Sequence, residues 1–257
     1  MIDVWSYISL FINNDKDKCN LLMTSQELSH CKIFFHEMIN INSISESRWF
    51  HQFTNILTSS LATLPKNIKI LNFADKFNKP INNYISYGVV HLSFGYMFNQ
   101  SLYECIPSSV THLEFRNKKI SFSIYHSHFT HTLNDSISSS IKYLIIESNM
   151  INCDDIDKLS AITHMTINHY HLCNDRKIVP SSVLYLTIGA CYQLSENLIP
   201  PSVIYLTFNK YIGFSLRQFI PTSVKKIYFH NIIKNITKKF IHNELKDLNV
   251  EIIFCDD

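Results

Sequence analysis

Thirteen histidines and thirteen tyrosines supply most of the side chains in this 257-residue chain that could move a proton, hold a metal or stack on a partner. The histidines are densest in His126-Ser127-His128-Phe129-Thr130-His131 and in His169-Tyr170-His171-Leu172-Cys173. Zinc requires three or four ligands converging in a closed geometry, and neither cluster has a defining ligand spacing, so both read as loops. Asp154, Asp155 and Asp157 lack the glycine and the distal Glu of a calcium loop and read as a turn. No H-E-x-x-H, nucleophile motif or paired-carboxylate signature occurs. The four glycines, Gly88, Gly95, Gly189 and Gly213, are never spaced G-x-G, which excludes a phosphate-cradling loop. The expectation is a protein without catalysis, cofactor or metal.

Charge and cysteine usage narrow the class further. Lys+Arg 23 against Asp+Glu 21 leaves +2, too little to draw in nucleic acid or an anionic membrane. The cluster Lys225, Lys226, Lys234, Lys238 and Lys239 reads as a solvated face. Seven cysteines without a C-x-x-C pair read as reduced thiols. The apolar stretch Val4–Ile12 has no basic region before it, and no run approaches the 18 apolar residues of a span. An intracellular protein, in the cytoplasm, is the expectation.

The elements that position the histidines and tyrosines come from a repeat. Pro-x-x-Val-x-x-Leu-x-Phe recurs as Pro65-Ile68-Leu71-Phe73, Pro107-Val110-Leu113-Phe115, Pro180-Val183-Leu186-Ile188, Pro200-Val203-Leu206-Phe208 and Pro221-Val224-Ile227-Phe229. Three units lack only the proline: Val89-Leu92-Phe94, Ile141-Leu144-Ile146 and Ile162-Met165-Ile167. The last apolar position advances by 21, 21, 31, 21, 21, 20 and 21 residues, the long step marking an insertion over 116–136. Leu and Phe two apart face one side of a short strand, the core side, and Pro suits the entry to it. A step of about 21 residues leaves no room for a full crossover helix, which predicts extended or 3₁₀ returns and a thin parallel-sheet solenoid over 64–229.

The residues flanking each Leu face outward on the concave sheet. One column reads Ile70, His91, His112, Tyr143, His164, Tyr185, Tyr205, Lys226, and the other Asn72, Ser93, Glu114, Ile145, Thr166, Thr187, Thr207, Tyr228. His and Tyr at strand spacing make an amphipathic surface of the kind that proteins bind, although Tyr and Thr also favour strands for their own sake. The candidate partner-binding residues are His91, His112, Glu114, Tyr143, His164, Tyr185, Tyr205, Lys226 and Tyr228.

Leu64-Pro65-Lys66-Asn67-Ile68 through Leu71-Asn72-Phe73, then Phe77-Asn78-Lys79-Pro80-Ile81, resembles an FNIP repeat. Leu92-Ser93-Phe94-Gly95 with Phe98-Asn99-Gln100-Ser101-Leu102 repeats it; later units lose Phe-Asn, with Tyr192-Gln193 the nearest echo. The resemblance implies a leucine-rich-repeat-like fold, as in proteins of amoebae and their large viruses, with no assigned catalysis.

Residues 1–45 depart from the step and read as three short helices: one from Asp3 with Val4, Ile8, Phe11 and Ile12 on a face, one capped by Asp15 or Asp17, and one opened by a Thr24/Glu27 capping box. Ile8-Ser9-Leu10-Phe11-Ile12 followed by Asp17, Leu21, Met23 and Leu28 resembles an F-box, without its opening Leu-Pro and with Lys18 where an apolar residue is usual. That resemblance implies docking to a Skp-type adaptor of a cullin ubiquitin ligase through Trp5, Ile8, Phe11, Leu21 and Leu22, the solenoid holding the target protein. The alternatives are a helical cap over the solenoid's open edge and a stand-alone binding scaffold. Residues 46–63 read as a connecting helix carrying Trp49, Phe53, Ile56 and Leu57, and 230–257 as a C-terminal cap with a helix over 235–248 and a strand over 250–254. The class is an α+β repeat protein.

Overall fold

The computed structural model describes residues 4–24, 28–116, 118–120, 123–125, 129–131, 133, 136–146, 150, 156, 158–170, 177–191, 194–210, 215–230 and 235–255. Two helices open the chain, α1 (Val4–Ser9) and α2 (Asp15–Met23). Strands follow as β1 (Ile39–Asn40), β2 (Asn55–Thr58), β3 (Ile70–Phe73), β4 (His91–Phe94), β5 (His112–Phe115), β6 (Lys118–Ile120), β7 (Ser123–Tyr125), β8 (Tyr143–Ile146), β9 (His164–Tyr170), β10 (Tyr185–Cys191), β11 (Tyr205–Lys210) and β12 (Lys226–His230). Helix α3 (Asn235–Leu245) and strand β13 (Glu251–Cys255) close it. Eleven strands form one parallel sheet in the order β1-β2-β3-β4-β5-β8-β9-β10-β11-β12-β13, the coils of a β-solenoid. No helix among the described residues is long and apolar enough to cross a membrane.

The repeat positions occupy three continuous core columns. Leu71, Leu92, Leu113, Leu144, Met165, Leu186, Leu206 and Ile227 pair in register and are at most 2% exposed. Phe73, Phe94, Phe115, Ile146, Ile167, Ile188, Phe208 and Phe229 are all at 0%, and Phe73, Phe94 and Phe115 stack at 5.3 Å. The buried Val column from Ile68 to Val224 completes the interior. Gly95 is where it is because a Cβ there would lie 2.4 Å from the Ala74 carbonyl oxygen of the coil below.

Two polar ladders tie coil to coil. In four units the serine before the Val-column residue donates its hydroxyl to the backbone of the preceding coil: Ser140 to Val110 O (2.8 Å), Ser182 to Ile162 O (2.7 Å), Ser202 to Val183 O (2.8 Å) and Ser223 to Val203 O (2.9 Å). On the return path the Asn78 side-chain oxygen accepts the Asn99 N–H (2.9 Å), and the Asn99 oxygen accepts the Thr130 N–H (2.9 Å). Phe77, Phe98 and Phe129 stack beside them at 6.2 Å. Phe129-Thr130 therefore takes the place of Phe-Asn in the third coil, displaced by the insertion. The solvated-loop reading fails at Phe129, which is 1% exposed. The rest of the insertion includes the antiparallel hairpin β6–β7, while β5 pairs directly with β8.

The connecting helix over 46–63 is not formed. A 3₁₀ turn at Phe50–Gln52 leads into β2, with Phe53, Ile56 and Thr58 on the core columns and Asn55 and Leu57 outside. The unpaired edge of β3 decides this: a segment alternating buried and outward residues satisfies that edge, and a helix there would leave its N–H groups open. At the other end β13 joins β12 in full register, so the sheet gains a further strand beyond α3.

The N-terminal segment also departs from its expected boundaries. Asn14 caps α2, its side-chain oxygen accepting the Asp17 N–H at 2.8 Å, in the place expected of Asp15 or Asp17. The Thr24 hydroxyl donates to Leu21 O and so ends α2, while Leu28–His30 forms only a 3₁₀ turn. Lys18 is 7% exposed, and its ammonium meets Asp15 at 3.0 Å and Phe34 O at 3.2 Å. Asp15 and Glu37 exchange backbone-to-carboxylate bonds at 3.0 and 2.6 Å, clamping α2 to the segment before β1. Ile33, Phe35 and Ile41 belong to the same hydrophobic core as the repeats.

Leu113→Ala should lower the unfolding free energy by about 2–5 kcal/mol in urea titrations, because the hole it leaves is closed on both sides by Leu92 and Leu144. Deleting 118–125 should leave the melting temperature within a few degrees, whereas a deletion extended through Phe129 should unfold the central coils.

Candidate functional site

The outer face of the sheet carries a continuous ladder of rings. His91, His112, Tyr143, His164, Tyr185 and Tyr205 sit at the same register position on β4, β5, β8, β9, β10 and β11. Successive ring centroids are 3.8, 4.0, 4.2, 4.2 and 4.7 Å apart. Interplanar angles are 10° or less except for 27° between Tyr143 and His164. The parallel register imposes the spacing, since strands about 4.8 Å apart bring like side chains into face-to-face contact. Rings held in one column restrain one another's rotation, so the ladder stiffens this face.

Hydrogen bonds orient two of the histidines. Thr111 Oγ1 lies 2.8 Å from His112 Nδ1, and Thr163 Oγ1 lies 2.9 Å from His164 Nδ1. Burial among the rings pushes the pKa of His91, His112 and His164 below the usual histidine value, and for His112 the neighbouring His91 and His164 add to the effect. All three imidazoles are therefore neutral at neutral pH. Tyr143 and Tyr185 remain 39% and 41% exposed, so the ladder presents ring edges to solvent.

The ladder ends at Lys226, whose ammonium binds Glu251 at 2.8 Å. Tyr228 lies in the second column, in register with Thr207 and Ile253, and is half-buried. Glu114 stands in that column between Ser93 and Ile145. All nine residues expected to face a partner do lie on this face, and Lys226 is occupied by an ion pair that the sequence did not announce.

The N-terminal candidates divide. Ile8 and Phe11 are exposed at 38% and 70%, with Tyr7 (59%) and Leu10 (73%) beside them in sequence, and Met23 at the end of α2 is 61% exposed. Leu22 is fully buried and belongs to the core, which corrects its assignment to the adaptor surface; Leu21 is half-buried against that core. Trp5 falls in α1, and its side chain lies outside the described residues. A depression of ≈ 390 Å³ opens there, lined in part by Tyr7, Leu10, Lys18 and Phe34. The exposure of Tyr7, Leu10 and Met23 was not legible in the sequence because helical periodicity does not say which face the rest of the molecule will cover.

Among the described residues no three His, Cys, Asp or Glu side chains converge to hold a metal. His126, His128, His171 and Cys173, together with Asp154, Asp155 and Asp157, lie outside the described residues. Burial and nearby carboxylates push the Cys19 and Cys105 thiols up, the direction that suppresses the nucleophilic thiolate.

With this geometry in hand, the FNIP repeat family matches residues 81–118. That stretch runs from the turn before β4 through β5 and contains the His91–His112 step of the ladder. No curated protein and no solved structure matches the chain.

Unfolded histidines take up protons near pH 6.5, whereas the ladder resists protonation until lower pH. The unfolded chain then binds more protons, so stability is full above about pH 6.5 and declines as pH falls below it. Melting temperatures from about pH 7.5 to about 5 should fall accordingly. His112→Phe, which keeps a ring and removes the proton site, should fall less; an unchanged slope would contradict the ladder's role.

Proposed function

We propose that the protein is a non-catalytic interaction module whose solenoid holds a target protein on the ring-bearing face. The observation that carries this reading is the continuous six-ring ladder, its successive centroids 3.8 to 4.7 Å apart. Tyrosine-rich, rigid surface loses little side-chain entropy on binding and is enriched at protein interfaces. The presence of an FNIP repeat within a parallel solenoid supports the same role.

The finer reading is a substrate receptor: the N-terminal helices, which resemble an F-box, dock a Skp-type adaptor of a cullin ubiquitin ligase in the cytoplasm, and the solenoid presents the target for ubiquitin transfer. The exposed run Tyr7, Ile8, Leu10 and Phe11 supports it, being more apolar surface than a solvated cap needs. A second reading is a stand-alone scaffold. It is favoured by the fusion of Ile33, Phe35 and Ile41 with the repeat core, which makes the N-terminal segment a cover for the sheet's first edge.

Co-purification of the full chain with a Skp-type adaptor separates the two. Truncation at residue 44 is unsuitable because it would remove β1 and its core residues, so point variants are needed. Wild type should bind, and Ile8→Asp and Phe11→Asp should each weaken binding by more than about 2 kcal/mol, near thirtyfold. Absence of binding by wild type would leave the stand-alone scaffold.

A further inference from the structure

We propose that the outer face over β3, β4, β5 and β8 takes an arginine side chain from an extended segment of the partner protein, with Glu114 as counter-ion and Ser93 as second acceptor. This rests on the reading of the ring-bearing face as a protein-binding surface and names the chemistry of what it binds.

A trough of ≈ 240 Å³ runs between the two outer columns, lined among others by Ile70, Asn72, His91, Ser93, Glu114 and Tyr143. Ser93 is 4% exposed, and its hydroxyl has no hydrogen-bond partner although it lines the trough. A buried hydroxyl without a partner costs free energy that a bound donor or acceptor would recover. Glu114, directly opposite Ser93 in the register, makes no ion pair or hydrogen bond among the described residues. Among the described residues, two cations near it in sequence or along the face are committed elsewhere. Arg116 donates to Phe73 O and lies 4.0 Å from Asp75, and Lys226 holds Glu251 at the far end of the ladder. His91 and His112 are held neutral by burial and supply no compensating charge.

The trough is therefore a half-buried anionic notch beside an unsatisfied hydroxyl. A phosphate or other anion is repelled by Glu114. A free small molecule is disfavoured by size, since such sites usually enclose about 300–1,000 Å³. Among cationic side chains, the planar guanidinium can place one edge on the carboxylate while another N–H reaches an acceptor on the adjacent strand about 4.8 Å away. The compact ammonium of lysine is a point charge and spans two such acceptors less well.

The test is selection of a display library of random peptides about twelve residues long, roughly 40 Å extended, on the immobilised full-length protein. Selected peptides are then titrated calorimetrically against wild type, Glu114→Gln, Glu114→Lys, Ser93→Ala and Tyr185→Asp, the last altering the ladder outside the trough. Melting curves check that each variant is folded, and Glu114→Lys and Ser93→Ala are independent should one fail. The expected result is enrichment of arginine, loss of at least about tenfold in affinity for Glu114→Gln, and reversal to acidic peptides when the library is reselected on Glu114→Lys. Peptides that depend on Tyr185 but show no arginine enrichment, or bind the Glu114 variants unchanged, overturn the arginine notch and leave the binding face standing. No peptide dependent on either Tyr185 or Glu114 overturns both.

Discussion

Parallel, in-register stacking of each strand on its counterpart about one coil away is the constraint on which the rest of this molecule depends. It places identical residue types in contact across coils, so a repeat with one good Leu and one good Phe position builds a continuous core by copying. Return paths too short for a full crossover helix are possible because Phe77, Phe98 and Phe129 stack on one another and Asn78 and Asn99 bond to the next coil. The serine ladder does the same where four of the coils re-enter the sheet. Buried backbone in a thin solenoid has few other partners, and these side chains satisfy it.

The same register governs the surface. A column of rings on separate strands has no choice but to stack, which lines His91 to Tyr205 into one plate and keeps its imidazoles neutral. Charge on such a plate is correspondingly scarce, and the two charged positions meet opposite fates. Lys226 finds Glu251 because β13 extends the sheet by one strand, whereas Glu114 sits between Ser93 and Ile145 with no cation paired to it among the described residues. An insertion after β5 leaves this face continuous because β6 and β7 pair only with each other.

Both ends of a parallel sheet expose strand edges that invite pairing. At the start, β1 is only two residues long, and the Asp15, Lys18 and Glu37 network anchors α2 beside it. A lysine at a position expected to be apolar is thus explained by burial with its own counter-ion. Its ammonium also bonds the Phe34 carbonyl, which helps offset the desolvation of the pair. At the other end Glu251 places a charge on the last strand.

The sequence by itself determined the solenoid, its period, the three core columns and the membership of the outer columns, because a side-chain alternation of two and a step near 21 are local and repeated eight times. It did not determine where the sheet ends. Asn55–Thr58 carries Ile56 and Leu57 at spacings equally compatible with a helix, and only the open edge of β3 resolved that ambiguity. Nor could it distinguish Leu22 from Phe11, apolar residues that both read as helical, since burial depended on where residues 33–41 joined the core. Which charges on the outer face are paired was likewise a tertiary matter: the partner of Lys226 lies 25 residues away, on a strand whose register was fixed only by assembly of the sheet.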